Sequence, residues 1–357
     1  MRLLLIGLAA ILAVVPTSTA CVEAAYSRQA YLVTQNLLTP ISSLTDFAVF
    51  DVLLAAALVG LPWWWVRAVR RAAPGGRWRA VGQMILSTCA LGAGAYLVFL
   101  LVWGLNYRRE PLTTKLDYEP KRVSSQALTA VAHEAVERLN ALHSGAHAQP
   151  WPEFGELPAR LGPAFEEVQQ DLGARRTAVT GLPKPTLLTP YFRRAGVDGM
   201  INPFSLEVLV NATVLSFERP FVVAHEWAHL AGYANESEAS FVGWLTCLSG
   251  DAASQYSAWV FLFPHLLQQL DPDQQTQLWQ GMDAGPTADF RAVYERASQA
   301  VPIVRNNANR LYDRYLRANG VDEGIASYGA VVDLVIGSTI GASAVADDWR
   351  PSMLDHP

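Results

Sequence analysis

The hydropathy of this chain is lopsided, and that asymmetry constrains its fold more than any other feature. Three apolar stretches, about Leu3 to Ala20, Phe47 to Val66 and Val81 to Leu105, fall within the first 105 residues. Each approaches or exceeds the roughly 20 residues that a bilayer-spanning helix needs. Over all 357 residues 51% are apolar and only 17% charged, against about 25% charged in soluble domains. Most of that apolar excess lies before Asn106, and from Tyr107 onward the composition is that of a globular domain. The expected organisation is a membrane region over 1–106 with three transmembrane helices (about 3–20, 47–66 and 81–105), followed by a folded domain over 107–357.

The charges flanking these stretches predict an orientation. Between the second and third lie Arg67, Arg70, Arg71, Arg77 and Arg79 with no acidic residue. Arginine bias of this kind marks a cytoplasmic loop. Trp63, Trp64 and Trp65 stand where an interfacial aromatic belt would lie. Asp51, near the start of the second stretch, sits where an interface tolerates charge better than the bilayer centre does. Arg2 agrees with an inward N-terminus. The second helix then runs inward and the third outward, so the domain faces the periplasm or cell exterior of a multi-pass protein of the bacterial inner membrane. The first stretch carries a rival reading: Ser18-Thr19-Ala20-Cys21 resembles a signal-peptide cleavage site. The rest of the topology is the same either way.

Several classes are disfavoured. A net charge of −5 leaves no nucleic-acid footprint. The three cysteines, Cys21, Cys89 and Cys247, form neither a metal spacing nor a disulfide framework. No internal repeat is visible, and nothing fixes an oligomeric state.

Within the domain, Ser124 to Leu142 carries Leu128, Val131, Ala132, Ala135, Val136 and Leu139 on one helical stripe. Ser144 to Pro152 is loop-like, which leaves His143 and His147 in polar surroundings. Phe165 to Leu172, Tyr256 to Leu270 and Ala308 to Ala318 read as helices. Pro183 to Pro190 and Glu207 to Val214 read as strands. The fold class expected is mainly α with a small β-sheet (α+β).

The chemistry is concentrated in His225-Glu226-Trp227-Ala228-His229, an H-E-x-x-H motif. Positions four apart share a helix face, so both imidazoles can grip one metal ion while Glu226 points at the water bound to it. Pro220 suits the first turn of that helix and Gly232 its end. A catalytic zinc site takes three protein ligands and keeps one position open. The third ligand must come from beyond the helix, and Glu236 and Glu238 both follow the glycine reversal. Glu236 is favoured because Asn235 and Glu238 match a capping box, which would occupy Glu238. A chance occurrence on a surface helix fits poorly. Phe221-Val222-Val223-Ala224 precede the motif, and polar groups in a buried helix need a polar reason. The near-copy His133-Glu134-Ala135-Val136-Glu137 lacks a second histidine and reads as the charged face of a helix. His265, in an apolar helix, reads as a satisfied core residue.

Glu236-Ser237-Glu238-Ala239-Ser240 also resembles the E-x-x-A-D signature of glutamate-type zinc peptidases, the gluzincins. That resemblance implies Glu236 as the metal ligand. Ser240 replaces the aspartate, so the carboxylate that would orient a histidine is missing from that position. More widely, the order of features is similar to a bacterial membrane family known only as domain-of-unknown-function family 3810. The matching pieces are Trp103-Gly104-Leu105-Asn106-Tyr107 with Arg109 and Pro111, Gly199-Met200-Ile201-Asn202-Pro203-Phe204 with Glu207, and His225 to Ala239. Tyr312-Asp313-Arg314-Tyr315-Leu316, Asn319-Gly320 and Ser327-Tyr328-Gly329 complete them. The resemblance implies a membrane-anchored, gluzincin-like domain and supplies no substrate.

The reading that follows is a zinc metallopeptidase. His225, His229 and Glu236 would bind Zn²⁺, and Glu226 would be the general base acting on a peptide or protein substrate. Tyr328, Tyr312 and Arg314 are candidate donors to the oxyanion, with Tyr328 the first choice. Val208 to Ala212 would offer a strand edge to the substrate. The alternative is a non-catalytic zinc-binding membrane sensor or scaffold, in which Glu238 supplies a fourth ligand and closes the shell. Cleavage within the bilayer is disfavoured, because Glu218 and Arg219 before the motif and Asn235, Glu236 and Glu238 after it are costly at membrane depth.

Overall fold

The computed structural model describes residues 1–73, 76–321 and 330–346. The described elements are α1 (Arg2–Val14), α2 (Thr19–Cys21), a π-helical stretch Val22–Ala30, α3 (Tyr31–Ser42), α4 (Val49–Arg70), α5 (Arg77–Val102), α6 (Ser125–Ala146) and α7 (Leu157–Asp171). They continue with β1 (Pro183–Pro185), α8 (Thr189–Ala195), β2 (Gly199–Asn202), β3 (Glu207–Val210), α9 (Arg219–Leu230), α10 (Glu236–Leu248) and α11 (Ala252–Leu267). The last are α12 (Pro272–Gly281), α13 (Ala284–Ala297), α14 (Pro302–Ala318), α15 (Val331–Gly337) and α16 (Thr339–Val345). The molecule is mainly helical with a three-stranded sheet, as the periodicities predict.

Among the described residues two helices, α4 and α5, are long and apolar enough to cross a membrane. The first apolar stretch is not one such helix. Pro16 forces Val15 into extended backbone (φ −73°, ψ 119°) and ends α1 after 13 residues. At about 1.5 Å per residue that is near 20 Å, short of the roughly 30 Å of a hydrocarbon core. The chain then bends by 111° into the continuous helical run Thr19–Ser42, and only the bent pair together passes as a third candidate span.

That second run does not follow the border drawn at residue 106. Its polar residues are buried against the domain: Gln35 pairs with Val179, Thr39 Oγ1 donates to the Leu206 carbonyl, and Ser27 Oγ donates to Asn106. Glu23 is ion-paired with Arg109 (2.9 Å) and Lys115 (2.6 Å). Apolar run length identified the segment up to Ala20, but it carries no information about which polar residues beyond it find partners.

The sheet order is β1-β3-β2, with β3 parallel to β1 and antiparallel to β2. The expected strand over Glu207 to Val214 is therefore short, and it is the central strand. Every one of its residues is buried, so it cannot lend its edge to a substrate. Pro183 to Pro190 divides into β1 and the start of α8, whose first turn accommodates Pro190. Helix α6 keeps its predicted apolar stripe and runs on to Ala146 with His147 as its C-cap. His143 and His147 are thus helix-end residues on one face, not loop residues.

Candidate metal centre

Helix α9 opens with Pro220 at its first turn and closes at Gly232, whose φ of +84° is a left-handed conformation that side chains disfavour. Its terminal carbonyls are held from outside the helix. Trp103 Nε1 donates to His229 (3.1 Å), Tyr31 Oη to Leu230 (2.8 Å) and Arg109 Nη1 to Gly232 (2.9 Å). Helix ends otherwise leave such carbonyls without partners. The Trp103–Pro111 segment and the start of α3 therefore anchor the metal-motif helix, a role that no sequence spacing revealed.

Helix α10 follows the reversal. Asn235 is its N-cap, accepting from the Ser237 N–H at 2.9 Å. The expected capping-box partner, Glu238, turns away instead and accepts the Leu112 N–H at 2.5 Å. It is occupied, as expected, but by a different group. α10 lies against α9 at Gly243, where a Cβ would come within 2.9 Å of the His225 backbone nitrogen. This near-contact of backbones carries Glu236 to the histidines.

His225 Nε2 and His229 Nε2 stand 3.3 and 3.4 Å from the same oxygen, Glu236 Oε2. All three side chains are largely buried, and these ligand atoms lie within 4.8 Å of one another. Each donor has its second atom occupied. His229 Nδ1 donates to the Tyr233 carbonyl at 2.7 Å, so that nitrogen is protonated and Nε2 is the atom turned toward Glu236. His225 Nδ1 is 3.2 Å from Ser240 Oγ. Glu236 Oε1 accepts the Tyr312 hydroxyl. Ser240 therefore reaches His225 from α10.

These residues fit a divalent ion. Zinc–nitrogen and zinc–oxygen bonds of about 2.0–2.2 Å in a tetrahedral shell put neighbouring donors about 3.3–3.5 Å apart. Apart from the two imidazoles, Glu236 Oε2 is buried without a hydrogen-bond partner, and a buried carboxylate oxygen is seldom left so. Glu226 Oε2 is likewise buried without one.

Burial opposes charge on His229, but the Glu236 carboxylate outweighs it and lifts the imidazole to about 9. Burial alone would raise Glu236; the facing imidazoles hold it well below the ordinary range. Burial lowers His225, and it raises Glu226 to about 8. A carboxyl pushed upward beside a histidine–carboxylate group is the kind of residue that exchanges protons near neutral pH.

Glu226 faces β2. A Cβ on Gly199 would lie 2.7 Å from Glu226 Oε1, so the glycine keeps that carboxylate's place open. Among the described residues β2 pairs only with β3, which makes it a sheet edge beside Glu226. The strand edge sought at Val208 to Ala212 is therefore next door. It escaped periodicity because four residues, one of them glycine, carry almost no alternation.

The remaining candidates separate. Tyr312 reaches the cluster through Glu236, Arg314 is exposed on α14, and Tyr328 lies outside the described residues. Glu238 is not among the converging donors.

A family model described as "Protein of unknown function (DUF3810)" matches residues 26–336. No curated protein and no solved structure matches the chain.

Proposed function

The chain belongs to the DUF3810 family, and from that premise we propose that it is a membrane-anchored zinc metallopeptidase, its domain outside the cytoplasm. The observation that carries this reading is the convergence of His225 Nε2 and His229 Nε2 on an otherwise unpartnered Glu236 Oε2 at tetrahedral spacing.

His225, His229 and Glu236 would hold the ion. Zinc held there supplies Lewis acidity, polarising the scissile carbonyl and bringing the pKa of water to about 7. Glu226 takes the proton of the attacking water and delivers it to the departing amine, which needs no covalent intermediate. Tyr312, through its hydroxyl on Glu236 Oε1, keeps the carboxylate presenting its other oxygen. An extended peptide can add to the edge of β2 by backbone hydrogen bonds, which sets its carbonyls beside Glu226. That arrangement favours a peptide over other hydrolysable substrates. The engagement of Glu238 with the Leu112 N–H favours three protein ligands over four, hence a catalytic shell over a closed sensor or scaffold site. Helix α9 has 12 residues within the domain core and is not among the membrane-length helices, which disfavours cleavage inside the bilayer.

The test is Glu226→Gln in the detergent-solubilised full chain, assayed on a peptide library. The variant should keep its metal and lose about 10²–10⁴-fold in cleavage rate, the usual worth of a general base. Cleavage at the parent's rate would remove Glu226 from the mechanism.

A further inference from the structure

A second group of metal-type donors lies apart from the α9–α10 cluster. His143 and His147 sit four residues apart at the end of α6, and Asp289 reaches them from α13. Their ligand atoms fall within 4.8 Å of one another. His147 Nε2 is 2.9 Å and His143 Nε2 3.5 Å from one oxygen, Asp289 Oδ2. The two rings are stacked with centroids 4.4 Å apart, so both Nε2 atoms are presented side by side.

Two features show the arrangement to be held in place. The Tyr256 hydroxyl of α11 donates to Asp289 Oδ2 at 2.6 Å and fixes that carboxylate. On α13, a Cβ at Gly285 would come within 2.4 Å of His143 Cε1, so the glycine makes the seat for that ring. Hydrogen bonding alone does not account for the geometry. Asp289 Oδ2 is engaged by Tyr256 and His147, while His143 stands at a distance too long for a hydrogen bond. It is, however, a distance that two ligands of one tetrahedral ion adopt, about 3.3–3.5 Å.

We propose that His143, His147 and Asp289 form a second divalent transition-metal site, zinc in type, which clamps α6, α11 and α13 together. Two imidazoles and a carboxylate suit zinc rather than the hard, all-oxygen cations calcium or magnesium. The side chains keep 26%, 32% and 14% of their surface exposed, so solvent supplies the remaining ligand and the ion can exchange. The His147 ring also packs against Trp151 (5.2 Å) and Phe217 (6.2 Å). Phe217 belongs to the short 3-10 turn Ser216–Glu218 that leads directly into α9, and Ser257, next to Tyr256, accepts the Phe221 N–H at 3.1 Å. The clamp therefore steadies the segment that launches the H-E-x-x-H helix.

Metal counting on the full chain in detergent tests this independently of the peptidase reading. The protein is stripped with chelator, equilibrated with micromolar Zn²⁺, and zinc per chain is measured for the parent, His229→Ala, His147→Gln and the double variant. His229→Ala should still retain zinc, and the double variant should lose it. Zinc should also raise the melting temperature of His229→Ala but not of the double variant. An unchanged zinc content on adding His147→Gln to His229→Ala would overturn the second site, as would a His229→Ala chain that binds none. Asp289→Asn, which keeps the side-chain shape, repeats the measurement should His147→Gln unfold. Failure of the α9–α10 site would show differently, as a parent and a His229→Ala variant with equal zinc.

Discussion

At the scale of single residues, the α9–α10 cluster is a set of buried groups whose charges answer one another. His229 is held cationic up to about 9 by Glu236, although burial opposes it. A metal ligand must be a neutral imidazole, so binding has to expel that proton. The sign follows directly. A zinc ion held there as proposed would compete with a proton on His229 below about 9, and as pH rises through that value the competition would vanish and affinity level off. Glu226, pushed up to about 8 by burial, would add a second proton for a bound cation to drive off. Zinc titrations at pH 7 in buffers of different ionisation enthalpy should therefore give apparent binding enthalpies that differ from buffer to buffer, corresponding to release of at least one proton. Equal enthalpies in all buffers would mean that His229 is already neutral. The sequence expected His225, His229 and Glu236 to converge, with Glu226 beside them, because their spacing is local to one helix and one turn, and the fold brings them together. It offered Tyr312 as a donor to the oxyanion but could not pair it with Glu236, 76 residues away, because no spacing rule connects them.

At the scale of elements, the site depends on how closely two helices approach. α9 brings the histidines and α10 brings the glutamate, and Gly243 lets their backbones touch beside His225. Gly243→Ala places a methyl where backbone atoms already stand, so the helices must part. Overpacking of this kind costs about 1–3 kcal/mol, and here the displacement falls on the ligand geometry. The expected result is a lower melting temperature together with weaker zinc retention; a variant that binds zinc like the parent would mean that Glu236 does not depend on this contact. The small sheet teaches a related lesson. Apolar, β-branched residues marked β3 as a strand, and the same character reflects its position in the middle, buried on both sides. The edge beside Glu226 fell to Gly199–Asn202, which has no strand signature of its own.

At the scale of the whole molecule, the two membrane-length helices are fastened to the domain at one end and carry their arginines at the other. Glu207, on the central strand, accepts the Val49 and Phe50 N–H groups at the start of α4, and Asp51 accepts from Thr186 and Leu187. The far end of α5 meets α9 through Trp103. Arg67, Arg70, Arg77 and Arg79 lie at the turn between the two helices, away from those attachments. If the pair crosses a bilayer, the domain and the arginines are on opposite sides, and arginine bias assigns the turn to the cytoplasm. A phosphatase reporter that folds only where disulfides form should be inactive when fused after Ala73 and active when fused after Val321. The opposite pattern would invert the topology and return the domain to the cytoplasm.

Local properties were legible in the sequence alone. Helical spacing put His225 and His229 on one helix face, run length marked α4 and α5, and glycine and asparagine marked the turn and cap between α9 and α10. Tertiary structure decided everything that joins distant positions. It folded Thr19–Ser42 into the domain, set β3 in the centre of the sheet, turned Glu238 toward Leu112, and brought Asp289 to two histidines more than 140 residues earlier. The physical reason is that hydropathy and periodicity report which face of a segment is buried. Which buried polar group pairs with which is fixed only when the whole chain must satisfy its donors and acceptors at once.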